Sequence, residues 1–288
     1  MTHGSLFSGI GGFDLAAEWA GWENVFHCEW NEFGQKVLKY HFPKSITYND
    51  ITKTDFTIHK GQIDVLTGGF PCQPYSSAGK RLGTADNRHL WPEMLRAIRE
   101  IQPRWIVGEN VRGLTNWNGG MVFDEVQLNL EVEGYEVIPF LLPACSVNAP
   151  HRRDRIWFIA YANSYGSNKR NGNNEVNTSK RRINALCNFK QGFINGIATH
   201  TKNIGQKYAL ENGELERRRF RKPDQRNVWD SFPSVSPICG GDDGLPKELD
   251  GITFSKWRNE SIKAYGNAIV PQVAFQIFNA INEYEKGH

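Results

Sequence analysis

"GSLFSGIGGFDLAAEWAG", residues 4–21, changes character twice in a short span. Residues 4–8 read as a short buried strand, 9–12 as a glycine turn, and about 13–20 as a helix closed by Gly21. The same strand–loop–helix unit recurs downstream. "NVFHCEW" (24–30) is strand-like, Asn31 caps a helix running to Phe42, and Pro43 stops it. A short strand ends near Asp50, and "IDVLTGG" (63–69) is the next. Pro92 suits the first turn of "WPEMLRAIREI", and "RWIVGENV" (104–111) reads as a buried strand. A helix near 121–133 ends at Gly134, and "YEVIPFLL" (135–142) and "RIWFIAYA" (155–162) complete the sheet. This alternation predicts an α/β fold, a doubly wound, mostly parallel sheet. Such sheets bind ligands beyond the carboxyl ends of their strands, which is where every loop of interest falls.

The chain has 288 residues, 39% hydrophobic and 23% charged, as expected of a globular protein of one large domain or a large and a small one. No run approaches the roughly 18 apolar residues of a membrane span. The N-terminus lacks a basic region followed by an apolar core, so a cytoplasmic protein with no membrane association is expected. Five cysteines without a Cys-x-x-Cys pair predict neither a zinc site nor a disulfide framework. Residues 162–226 hold 14 Lys/Arg against 5 Asp/Glu, a net +9; the whole chain is +3, so the remainder is −6. A basic segment on a mildly acidic body suggests a polyanionic partner, nucleic acid first, although a solvated surface insert would look the same. This region, rich in Asn, Lys and Arg with little periodicity, reads as a separate module or a loop-rich insert. Order returns at 260–285, where Pro271 opens a helix with Val273, Ile277, Phe278 and Ile281 on one face.

Several loops carry candidate chemistry. In "GGFPCQPYSSAGK" (68–80) a lone thiol, Cys72, stands between Pro71 and Gln73 among loop formers, poor surroundings for a cysteine that only fills space. The glycines at 9, 11 and 12 let a ligand approach the backbone at a helix start, although the spacing is not G-x-G-x-x-G and a plain tight turn serves as well. Glu29 at the end of the second strand can accept ribose hydroxyls; Asp50 can receive an adenine amino group, and Trp30 can stack on the base. Glu109 and Asn110 close a strongly apolar strand, where a carboxyl tends toward its neutral form; a helix cap or surface pair is the plain alternative. In "PHRRDR" (150–155), Arg153 and Arg155 fall on alternate positions, one face of an incoming strand, suited to phosphate or a base edge or to bracing acidic side chains.

Taken in order, Phe7–Gly12, Pro71–Cys72–Gln73, Glu109–Asn110–Val111, Arg153-x-Arg155, a variable basic region and Gly266–Asn267 resemble the DNA cytosine-5 methyltransferases of bacterial or phage type. The resemblance covers about 1–161 and 260–285. It implies a Rossmann-like catalytic domain at 1–161, a small loop-rich target-recognition region at 162–258, and a returning segment at 259–288. It implies S-adenosylmethionine as cofactor, held by Phe7, Gly9, Ile10, Gly11, Gly12, Glu29, Trp30, Asp50 and Ile51, with Leu90 lining the pocket and Asn267 closing it. By the same resemblance Cys72 attacks C6 of a flipped cytosine in double-stranded DNA, Glu109 serves N3, Arg155 and Arg153 hold the base O2 and a phosphate, and Asn110 braces the cysteine loop. Gln73, Ser76, Lys80, Arg81, Arg217, Arg218 and Arg219 are the candidate DNA contacts. A monomer in the cytoplasm of a prokaryotic or phage-infected cell is implied, with a cognate restriction endonuclease as candidate companion. The chain departs from the usual pattern at His151, where Gln is commoner, and at Ala268, where Ser is. No arginine-rich motif is evident in 226–258. Two rivals remain at this point. The tRNA-modifying branch shares the catalytic residues, but its Cys-Phe-Thr element has no match at Cys187 or Cys239. The other is a catalytically decayed DNA-binding relative.

Overall fold

The structure, a computed structural model, describes residues 1–71, 90–162 and 254–287. Seven strands are laid down as β1 (Thr2–Leu6), β2 (Glu23–Cys28), β3 (Ile46–Tyr48), β4 (Val65–Gly68), β5 (Trp105–Val111), β6 (Tyr135–Pro143) and β7 (Asp154–Ala162). They form one sheet in the order β3-β2-β1-β4-β5-β7-β6. The first five run parallel, and β7 lies antiparallel between β5 and β6. The order turns at β1 and β4, the place where such sheets open a crevice for ligands.

Helices cover both faces: α1 (Gly12–Trp19), α2 (Glu32–His41), α3 (Trp91–Ile101), α4 (Met121–Val132), α5 (Phe254–Asn267) and α6 (Pro271–Lys286). Alternate residues of each central strand enter opposite cores. Leu66, Ile106 and Phe158 join Trp91, Met94 and Ile98 of α3 and Val126 of α4 on one side. Val65, Val107 and Ile159 join Phe13 of α1 and Ile277, Phe278 and Ile281 of α6 on the other. A strand buried on both faces has no polar side to alternate with, which is why β4, β5 and β7 read as apolar runs.

The last helix is fastened to the first strand–helix unit. Trp22 stacks on Phe278 with ring centroids 4.4 Å apart. Its indole N–H donates to Asn282 Oδ1 at 2.7 Å, and Asn282 Nδ2 donates to the Ala20 carbonyl at 3.1 Å. The expected helix at Pro271 is present, with its four predicted apolar positions fully or nearly buried. A helix not anticipated from periodicity, α5, starts at Phe254, inside the stretch expected to belong to the recognition region. Trp257 and Ala264 of α5 pack on Phe33 and Val37 of α2.

Candidate active site

The turn after β1 leaves the sheet between Cys28 of β2 and Gly68 of β4, the two partners of Leu6. Phe7 turns the chain with a left-handed φ of 53°, and the Ser8 amide donates to the Cys28 carbonyl at 3.1 Å. Gly11, at φ 84°, is the N-cap of α1. A Cβ on Gly9 would meet nothing within 4 Å, so the turn presents bare backbone to open space. Glu29 is bound directly to this turn. Its Oε2 accepts the Gly9 amide at 2.7 Å and its Oε1 the Asn31 amide at 2.8 Å. Burial pushes the Glu29 carboxyl upward, against the pull of the backbone N–H groups of Asn31 and Gly9. Trp30 beside it is 73% exposed, a free aromatic face at the crevice.

The other expected cofactor residues are distributed around this turn. Ile10 packs against Phe33 and Val37 of α2. The Asp50 carboxylate is engaged by the Thr52 hydroxyl at 2.7 Å and Lys53 at 3.3 Å, and the hydrogen bond from Thr52 holds its pKa below the usual carboxylate value. Ile51 is buried in the first core. Leu90 is the N-cap residue of α3. Asn267 ends α5 exposed.

Across the switch point, β5 delivers Glu109 and Asn110. Asn110 is 3% exposed; its Nδ2 donates to the Phe70 carbonyl at 2.9 Å, and its Oδ1 accepts the Val111 amide at 2.8 Å. Phe70 is pinned against Trp91, 5.0 Å between centroids, so the stem Gly69–Phe70–Pro71 is fixed from two sides. Glu109 is 8% exposed. Its Oε2 lies 3.5 Å from where a Cβ on Gly69 would stand, and its Oε1 is 2.9 Å from Arg155 Nε. Burial raises the carboxyl to about 7, with Arg155 and Arg153 opposing the shift. An acid poised near neutrality can give up or hold a proton at a ligand at working pH.

The two arginines are not the matched pair that strand alternation predicts. β7 starts at Asp154, and Arg153 stands before it with a φ of 37°. This left-handed residue stands outside the strand, and the two guanidiniums take different hydrogen-bond partners although both bear on Glu109. Arg155 goes to Glu109, whereas Arg153 donates from both terminal nitrogens to the Gly266 carbonyl at 3.0 Å and from Nη2 to the Ala268 carbonyl at 2.6 Å. Arg152 and Arg112 flank Asp154, each at 3.0 Å.

A crevice with a bare glycine turn on one side and a buried, arginine-paired acid on the other matches what a comparison of whole sequences finds. The family model described as C-5 cytosine-specific DNA methylase matches residues 1–241. The chain belongs to that family. Among its relatives, the Type II methyltransferase M.Eco47II of Escherichia coli is 37% identical over 161 residues, 55% of this chain and 39% of that protein. M.PspPI of a Psychrobacter strain is 40% identical over 157 residues, 54% of this chain and 38% of that protein. The matched stretches thus span about two fifths of these relatives' own length. A DNA modification methyltransferase encoded within an E. coli prophage has a solved structure 27% identical, covering 61% of this chain and 50% of that one, with a TM-score of 0.49.

Of the residues singled out for the methylase chemistry, Cys72, Gln73, Ser76, Lys80, Arg81 and Arg217–Arg219 lie outside the described residues, as does the expected recognition region up to residue 253. Among the described residues no helix is long and apolar enough to cross a membrane. Two features around the glycine turn and α1 escaped the sequence reading. Gly34 sits in α2 where a Cβ would stand 2.6 Å from the Gly9 carbonyl oxygen and 2.9 Å from Glu29 Cγ. It lets the helix close on the turn; its signal was a glycine inside an otherwise regular helix. The second is a buried polar cluster under α1. Asp14 is fully buried, 3.7 Å from His27 Nδ1, and burial raises its carboxyl to about 7 while lowering His27 to about 4. The residues come from separate elements, so no local pattern announced them.

Proposed function

We propose that the chain transfers a methyl group from S-adenosylmethionine to C5 of a cytosine turned out of duplex DNA. The observation that carries the reading is Glu109: a nearly buried carboxyl raised to about 7, paired with Arg155 at 2.9 Å and set against the stem that leads into Cys72. The cofactor would supply an electrophilic methyl group. The residues present fit it: Gly9 leaves room at the turn, the Glu29 oxygens retain lone pairs for ribose hydroxyls, and Trp30 offers a ring face.

The chain's own residues would then act as follows. Cys72, as thiolate, adds to C6 of the cytosine ring. An ordinary thiol is only about 3% ionised at pH 7, so cationic neighbours matter. Glu109 donates its proton, or a hydrogen bond, at N3, which draws electrons from C6 and leaves C5 nucleophilic. Arg155 holds both the Glu109 carboxylate and, on this reading, the base O2. After C5 takes the methyl group, loss of the C5 proton restores the ring double bond and expels the Cys72 sulfur. Asn110 keeps the loop stem in place throughout by its bond to the Phe70 carbonyl.

The test is incubation with cofactor carrying a tritiated methyl group and either plasmid DNA or transfer RNA, together with trapping on duplex DNA containing 5-fluorocytosine. Label in DNA and a covalent adduct that vanishes in Cys72→Ser are expected. Label in transfer RNA alone would move the substrate to RNA, and label in neither would end the enzymatic reading. Bisulfite sequencing of a plasmid from expressing cells then reads out the recognised site.

A further inference from the structure

The contacts of Arg153 point to a task other than touching DNA. Its guanidinium meets the carbonyls of Gly266 and Ala268, the residues on either side of Asn267. These carbonyls belong to the end of α5, where the last C=O groups lack partners within the helix and a cation is favoured. The residue that follows, Ile269, lies against the glycine turn: a Cβ on Gly12 would be 2.6 Å from Ile269 Cγ1. Ile10 of the same turn and Trp257 and Ala264 of α5 all pack against Phe33 and Val37 of α2, which joins the turn to the body of α5. The returning segment is therefore seated on the glycine turn by packing and fastened at its end by one side chain from the start of β7. The left-handed φ of Arg153 sends that side chain away from the strand register and toward the segment.

We propose that Arg153 is a positioning residue that clamps residues 266–268 and so sets Asn267 as a wall of the cofactor site. This rests on the cofactor reading above. The carbonyls it binds are main-chain groups, so the clamp asks nothing of the side chains at 266 and 268. It accepts Ala268 where relatives of this pattern more often carry Ser. The two terminal nitrogens of the fork are both used, which a lysine ammonium cannot reproduce in the same plane.

The test uses the full chain and two substitutions, Arg153→Ala and Arg153→Lys, with folding checked by thermal melting. In the ligand-free protein, amide hydrogen exchange over 264–270 is expected to rise at least about tenfold in Arg153→Ala, the scale of one lost charge-assisted hydrogen bond. Exchange in β1 and β5 should stay unchanged. Titration with S-adenosylhomocysteine should weaken by about the same factor, with Arg153→Lys between it and wild type, while affinity for duplex DNA holds. Unchanged exchange at 264–270 overturns the clamp. Lost DNA affinity with intact cofactor binding overturns it too, and makes Arg153 a DNA contact. A wild-type protein that binds neither S-adenosylmethionine nor S-adenosylhomocysteine defeats the cofactor reading and the wall with it. The exchange arm would still report separately whether Arg153 holds the segment. Should Arg153→Ala fail to fold, Arg153→Lys decides by the same three readouts.

Discussion

Replacing Arg155 with methionine should move the pH dependence of methyl transfer upward. Glu109 stands at about 7 because burial outweighs the attraction of Arg155 and Arg153. Half of its molecules are protonated at pH 7, against about 0.3% for a carboxyl at an ordinary value, a gain of about 150-fold in the acid form. Arg155, 2.9 Å away, works against that gain by favouring the carboxylate. A hydrogen bond to a charged partner is worth about 1.5–3 kcal/mol, so its removal should raise the carboxyl by about 1–2 pH units. The rate in a single-turnover assay with tritiated methyl donor and plasmid DNA should fall in wild type as pH climbs through about 7 and Glu109 loses its proton. Ionisation of Cys72 opposes this with a rising limb. In Arg155→Met the falling limb should shift to higher pH, whatever the loss in absolute rate. In Glu109→Gln it should disappear, with the rate down by about 100- to 10,000-fold. A falling limb that stays in place in Arg155→Met, or persists in Glu109→Gln, would refute the assignment of Glu109 as the acid.

Two further outcomes concern the scaffold. For Asp14 the folded-state value of about 7 lies above its ordinary 3.8, so the folded protein binds this proton more tightly and loses stability as pH rises across that interval. Asp14→Asn, which cannot ionise, should gain on wild type in denaturant melts between pH 4 and 7 and keep the gain at pH 8; a difference independent of pH would contradict the burial argument. Gly34→Ala should lower the melting temperature, because a Cβ 2.6 Å from the Gly9 carbonyl forces about 1–3 kcal/mol of overpacking, more than the helix-propensity gain of about 1 kcal/mol. It should also reduce the stabilisation given by S-adenosylhomocysteine, since the Gly9–Glu29 contact shifts with it. A higher melting temperature with full ligand stabilisation would refute the close packing.

The elements legible in the sequence were those with local causes. Pro92 and Asn31 marked helix starts, Gly134 a helix end, and the double-sided burial of β4, β5 and β7 produced apolar runs. Glu109, Asn110 and the glycine turn stood out because each follows a strand, and strand ends share an edge. What did not show was set by pairing at long range. The insertion of β7 between β5 and β6 depends on which edges meet, a choice that no stretch of residues encodes. Arg153 misled because one left-handed residue cancels the two-residue period of a strand. The start of α5 at Phe254 was hidden because its packing residues, Trp257 and Ala264, meet Phe33 and Val37 of α2 rather than forming a continuous apolar stripe.

The antiparallel course of β7 also dictates where neighbouring sequence can be attached. β7 begins beside Glu109, at the edge of the sheet that carries the crevice, and ends at Ala162 opposite the starts of β5 and β6, at the far edge. The chain is next described at Phe254, and Trp257 soon after packs on Phe33 and Val37 of α2, which also hold Ile10 of the glycine turn. These two described flanks therefore lie at opposite edges of the sheet. β7, nine residues and about 30 Å long, sets the scale of the separation between them. Neighbouring sequence is thus joined to the far edge of the sheet at Ala162 and to the glycine-turn side at α5, with the pairings of β5, β6 and β7 lying between the two joints.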